Sequence, residues 1–163
     1  MSRWGKTDFR DLKKLTNNID NYLKTTQILE EVAKELTARL LGKVIPRTPV
    51  GKYPKSSGKV GGTLRRGWTS DSAKNAESGN NIDIATFVEN LEVNKTDNYV
   101  EVTIINPVEY ASFVEQGHRT ANHKGWVPGR HMLRISVSEL QAESPKIIKK
   151  KIEKELREVF KWI

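Results

Sequence analysis

The feature that most constrains this chain is a long apolar stripe that ends abruptly. Leu29, Val32, Ala33, Leu36 and Leu40 recur at three- and four-residue steps, and Phe9, Leu12, Leu15, Ile19 and Tyr22 precede them at similar spacing. That periodicity predicts an amphipathic helix, or two in series, laying one side on a core. Gly42 suits a helix C-terminus, and Pro46 and Pro49 keep the helix from resuming beyond it. From about 43 to 66 the chain is punctuated by Gly, Pro, Ser and Lys, too polar for a core strand and longer than an ordinary connector. This stretch is expected to be a long basic loop or arm.

Period-two alternation then begins at Leu64, Arg66 and Trp68, resumes at Ile82 and Ile84, and runs through Leu91 and Val93 to Lys95. Thr96, Asp97 and Asn98 supply a turn, after which Val100, Val102 and Ile104 alternate with Tyr99, Glu101 and Thr103. A short helix follows over Glu109 to Glu115, with Tyr110, Phe113 and Val114 on its apolar side and Gly117 as its stop. Residues from about 117 to 129 form a second polar loop. Met132, Leu133, Val137 and Leu140 return to helical spacing, and Ser144 with Pro145 marks the start of a last helix over about 145–162. Ile148, Ile152, Leu156, Val159 and Ile163 share one face of it. The expected fold is α+β: an antiparallel sheet of about four strands packed against a long N-terminal helix, a short middle helix and C-terminal helices. At 163 residues with no internal repeat, one domain over 1–163 suffices.

Composition removes several chemistries. With no cysteine there is no disulfide framework, thiolate metal site or cysteine nucleophile. Met1 to Lys6 lacks the apolar core of a secretory leader, and no apolar run approaches the ~18 residues needed to span a bilayer. His118, His123 and His131 lie close in sequence with Glu115 as the one nearby acid, yet they lack the four-residue step of a helical zinc pair. No serine sits in a Gly-x-Ser-x-Gly elbow, and Gly51 to Gly62 lacks the Gly-Lys-Ser/Thr ending of a phosphate loop. The expectation is a protein without catalytic residues, metal or cofactor.

What remains is charge. The formal net charge is +8, and Lys43, Arg47, Lys52, Lys55, Lys59, Arg65 and Arg66 follow one another with no acid among them. Such a stretch can clamp nucleic-acid phosphates or an acidic protein ring, or simply be a solvated loop. Tyr53 and Trp68 flank it without forming the repeated stacking platform of single-strand binders.

Three ordered segments resemble a known family. TPVGKYPKSSGKVGGTLRRGW at Thr48 to Trp68, NPVEYASFVEQGHRT at Asn106 to Thr120 and GWVPGRHML at Gly125 to Leu133 are similar to signatures of the gene-10-like tail-completion or neck proteins of lambdoid phages. Relatives of that family occur in defective prophages and contractile-tail bacteriocins. The resemblance covers roughly Ala33 to Leu140, and departs from the family at His118, at Gly129 and His131, and in an additional Trp126. It implies a structural subunit of a virion or phage-like particle, assembled in the bacterial cytoplasm with no membrane. That subunit forms a ring homo-oligomer, hexameric in the particle, between tail tube, tail terminator and connector, with non-specific DNA contact possible in the channel. The alternative class is a nucleic-acid-binding module that uses the basic arm.

Within that reading Leu64, Trp68, Tyr110, Phe113, Val114 and Gly117 are expected to form the structural motif. Lys52, Lys55, Lys59, Arg65, Arg66, Glu115, His118, Arg119, Trp126 and Arg130 are the candidates for partner contact, Glu115 and Arg130 either as an ion pair or against a neighbouring subunit.

Overall fold

A computed structural model of the chain describes Lys14, Asn17 and residues 26–96 and 99–160. The stripe from Phe9 to Tyr22, the turn residues Asp97 and Asn98, the side chain of Val159 and Ile163 lie outside the described residues. Helix α1 spans Thr26–Arg47, α2 Thr63–Arg66, α3 Ala73–Ser78 and α4 Ile84–Glu89. Strands β1 (Asn94–Lys95) and β2 (Val100–Glu101) precede α5 (Ala111–Gln116); β3 (Gly117–Arg119) and β4 (Trp126–Pro128) lead into α6, Met132–Phe160.

The long helix exists, but it does not stop at Gly42. It continues to Arg47 with Pro46 in its last turn, where the missing N–H forfeits only one bond, to the Gly42 carbonyl. Thr48 closes the end: its N–H and its hydroxyl both donate to Val44 O, at 3.0 and 2.7 Å. Leu41 and Val44 are fully buried, so tertiary packing outweighs the local breakers.

The expectation of a separate last helix beginning at Ser144 is also corrected. One helix, α6, runs through both residues. Pro145 deprives the Gln141 carbonyl of its usual donor, and the Ser144 hydroxyl donates to that carbonyl at 3.1 Å. Helices α1 and α6 pack antiparallel, as their ion pairs record: Arg47 Nη2 meets Glu139 at 2.6 Å, Lys43 Nζ meets Glu143 at 2.8 Å, and Lys151 Nζ meets Glu31 at 2.8 Å.

The fold is α+β, yet the described residues hold two separate two-stranded antiparallel ladders in place of a four-stranded sheet. Leu64 and Trp68, read above as strand, lie four residues apart on the helical turns Thr63–Arg66 and Gly67–Thr69 and are both buried. Ile84, Phe87, Val88 and Leu91 carry a helical stripe that the Ile82–Ile84 alternation obscured, and all four pack on the core. Asp83 caps α4, its Oδ1 accepting Thr86 N–H at 3.0 Å and its Oδ2 accepting the Thr86 hydroxyl at 2.6 Å. Ser72 caps α3 in the same way through Asn75 N–H at 3.3 Å, so the polar stretch there is helical too.

The hairpin reading of the next segment holds: Asn94 pairs with Glu101 and Lys95 with Val100, and Thr96 N–H donates to Tyr99 O at 3.0 Å. Beyond it, Val100, Val102 and Ile104 turn partly inward while Tyr99, Glu101, Thr103 and Ile105 are exposed. The expected second loop is likewise a hairpin, β3 against β4, with Arg119 opposite Trp126. The core joins Leu41, Val44, Leu64, Trp68, Ala76, Val88, Val108 and Met132, with α1 as its long wall.

Candidate functional site

The three sequence segments that stand apart are tied to one another in space. Thr48, fully buried, accepts a 2.7 Å hydrogen bond at its hydroxyl from Trp68 Nε1, so the two ends of the first segment close on each other. Arg65 reinforces the closure by donating from Nη2 to Thr48 O at 2.8 Å, and Arg66 donates from Nε to Ala76 O at 2.7 Å and from Nη1 to Gly61 O at 3.1 Å. The second segment joins through Asn106, whose Nδ2 donates to Leu64 O at 2.8 Å. Gly67 makes this possible, because a Cβ there would stand 2.3 Å from Asn106 Oδ1.

The second and third segments meet at Glu115. Its carboxylate accepts the backbone N–H groups of Leu133 at 2.9 Å and Arg134 at 3.0 Å, capping the otherwise unsatisfied first turn of α6. Arg130 and His131 tie the same junction by backbone bonds, to Val114 O at 2.8 Å and Glu115 O at 3.0 Å. Gly117, at φ 90°, and Gly129 let the chain cross itself here: a Cβ on Gly129 would lie 2.3 Å from Glu115 O, and one on Gly117 2.5 Å from Val127 O. Glu115 therefore serves the fold through backbone amides, and no Glu115–Arg130 ion pair is present among the described residues.

Leu64 and Trp68 sit in the core, and Val114 packs against it. Tyr110 and Phe113 do not join them: Phe113 is 57% exposed and rests on His118 with ring centroids 6.1 Å apart. The β3–β4 hairpin that follows is held by its own turn. Thr120 N–H donates to Gly125 O at 3.0 Å, Gly125 N–H donates to the Thr120 hydroxyl at 3.0 Å, and that hydroxyl donates to Asn122 Oδ1 at 2.6 Å. His123 occupies this turn at φ 57°. On this braced support Trp126 is 60% exposed and Val127 is exposed beside it.

The basic arm divides into two parts. Lys43 and Arg47 are drawn into the α1–α6 seam, and Arg65 and Arg66 bond inward as described. Lys52, Lys55 and Lys59 remain on a stretch exposed throughout 51–60, where Lys59 Nζ lies 5.9 Å from the Tyr53 ring centre. Sequence reasoning passed over the roles of Thr48 and Asn106, each a polar residue at the start of its segment, which was the available signal; Gly129, at the middle of the third segment, was singled out only as a departure from the family. Among the described residues no group of three or more His, Asp or Glu is placed to hold a metal ion, and no helix is long and apolar enough to cross a membrane.

Comparison with known proteins gives one result. No curated protein and no solved structure matches the chain. A family model described as "Bacteriophage HK97-gp10, putative tail-component" matches residues 13–117, more than half of the 163. That span contains the first segment whole and the second nearly so, the same residues that the hydrogen bonds above bind together. The chain belongs to this HK97 gp10-like family of phage tail components.

Proposed function

We propose that this tail component is a structural subunit, one domain over 1–163, that forms a ring at the head-proximal end of the tail as a completion, neck or collar piece and joins the tail to the connector. One observation carries the reading. The polar side chains of the motif segments, Thr48, Arg65, Arg66, Asn106 and Glu115, hydrogen-bond to the protein's own backbone or to one another's segment, while Trp126, Phe113 and Lys52, Lys55 and Lys59 face outward. Groups that hold a shape and present a surface suit assembly, with no substrate to transform and no cofactor to hold.

A closed ring needs heterologous contacts, one patch on each subunit against a different patch on the next. The proposed ring holds six copies, with tail tube, tail terminator or connector above and below. The exposed lysines of the arm suit docking on an acidic partner ring. The same charges favour a second reading, phosphate contact with DNA, whose signature is affinity that falls steeply as salt rises.

Electron microscopy of the assembled particle tests the proposal: ring density of this chain is expected at the junction of tail and connector, and its location elsewhere overturns the reading. Lys52→Gln, Lys55→Gln and Lys59→Gln together should give tails of abnormal length or without heads. Normal tails attached to heads exclude the arm from docking, and salt-sensitive, sequence-selective DNA binding by the monomer favours the nucleic-acid class instead.

A further inference from the structure

Charge of opposite sign without an ion-pair partner among the described residues lies at two separate hairpins of this chain. Between Gln116 and Glu139 the sequence has no acid, yet it carries Arg119, Lys124, Arg130 and Arg134. None of those four side chains has an ion-pair or hydrogen-bond partner among the described residues. They surround the β3–β4 hairpin, whose exposed Trp126 and Val127 add apolar surface.

The second place is the β1–β2 hairpin. Its register puts Glu101 opposite Asn94, two residues from Glu92, and alternation sets Tyr99 and Thr103 on the same side as Glu101. Glu89, Glu92 and Glu101 are exposed and have no cationic partner among the described residues, while Tyr99 is 57% exposed. The one cation of this hairpin, Lys95, is turned the other way and pairs with Glu30 of α1.

The two hairpins are fixed at opposite ends of α1. Lys95 and Lys34, the latter donating to Glu89 O at 3.2 Å, hold the acidic one near Glu30. The basic one grows from the start of α6, where Ser136 meets Arg47 at 3.0 Å. A helix rises ~1.5 Å per residue, so Glu30 and Arg47 stand roughly 25 Å apart. No ion pair joins the two hairpins among the described residues, so both charges remain open to a second molecule.

We propose that the acid-free β3–β4 hairpin of one copy, through Arg119, Lys124 and Trp126, docks on the Tyr99–Glu101–Thr103 face and Glu92 of a second copy. Because the two patches differ, the contact is head-to-tail, the kind that closes a ring or extends a filament. This rests on the ring reading above and names the surfaces that reading requires. Complementary charge steers the encounter and fixes the register, and the aromatic side chains supply apolar area. Each contact is weak alone and strengthens when several close at once.

The absence of native cysteine makes a clean test. Thr103→Cys and Ala121→Cys are exposed and leave every charge in place. With a short bis-maleimide, an equimolar mixture of the two single variants should cross-link to dimers at least tenfold more than either variant alone, and the double variant should give a ladder. Glu92→Lys with Glu101→Lys should abolish the cross-link, and pairing that copy with one carrying Arg119→Glu and Lys124→Glu should restore it. Rings that form without the cross-link, or dimers from one single variant alone, overturn this contact and leave the ring. A chain that stays monomeric, both concentrated and on tails assembled without it, overturns both.

Discussion

The bond between Thr48 and Trp68 gives the sharpest prediction about what holds the motif together. Thr48→Val keeps the shape of the side chain and removes only the hydroxyl that accepts Trp68 Nε1 at 2.7 Å. Trp68 is 3% exposed and Thr48 is fully buried, so the indole N–H finds no water in exchange. An orphaned buried donor costs about 1–3 kcal/mol, and the extra methyl returns less than ~1 kcal/mol. The expected loss is about 2 kcal/mol, which for a chain this long lowers Tm by roughly 4–8 °C. Urea melts followed by far-UV circular dichroism would read it as a midpoint shift on the order of 1 M. Trp68→Phe removes the donor, so the double variant should lose less than the sum of the two singles by about 1–2 kcal/mol. A loss below ~0.5 kcal/mol for Thr48→Val, or strict additivity in the cycle, refutes the assignment of this bond as the clasp of the first segment.

Glu115→Ala strips the cap from Leu133 and Arg134 and should cost about 1–2 kcal/mol, seen as a lower Tm, while Arg130→Ala, whose side chain makes no bond among the described residues, should leave Tm unchanged. Stability should fall in acid. The Arg47 guanidinium beside Glu139, and the Lys95 and Lys34 ammonium groups beside Glu30, hold those carboxyls below their ordinary range. Depressed folded-state values mean that this contribution is present above the unfolded value of about 4.3 and is lost as pH drops through the folded ones. A thermal-melt series should therefore be flat near neutrality and decline below about pH 4, and 0.5 M salt should shrink the difference.

Much of the helical frame was legible in the sequence, because Leu36, Leu40, Met132, Leu133 and Val137 keep one spacing over long runs and long amphipathic patterns leave little choice. The boundaries were not. Gly42, Pro46 and Ser144–Pro145 are local stop or start signals, and each was overridden: Leu41 and Val44 bury against the core, and the Ser144 hydroxyl serves the carbonyl that Pro145 abandons. The sheet was over-read for a different reason. Leu64, Arg66 and Trp68 fit period two, but Leu64 and Trp68 equally fit one helical turn, and short apolar runs carry both periods at once. At the motif, Leu64 and Trp68 were recognisable as core from type and spacing. The exposure of Phe113 was not, since a Tyr-Ala-x-Phe-Val stripe looks the same whether it faces a core or a partner.

The same distinction separates the two kinds of residue by experiment. A two-stranded ladder is barely stable in water by itself, so β1–β2 and β3–β4 persist because α1 and the Glu115 junction hold them. Changes to the frame, at Thr48, Asn106 or Glu115, must then act through the folded fraction and lower Tm whatever else they do. Changes to what the frame presents, at Lys52, Lys55, Lys59, Arg119 or Trp126, touch exposed side chains and should leave Tm within the small range of surface substitutions. Any effect of that second group on assembled particles therefore belongs to contact between molecules, and a drop in Tm that tracks the assembly defect would return those residues to the frame.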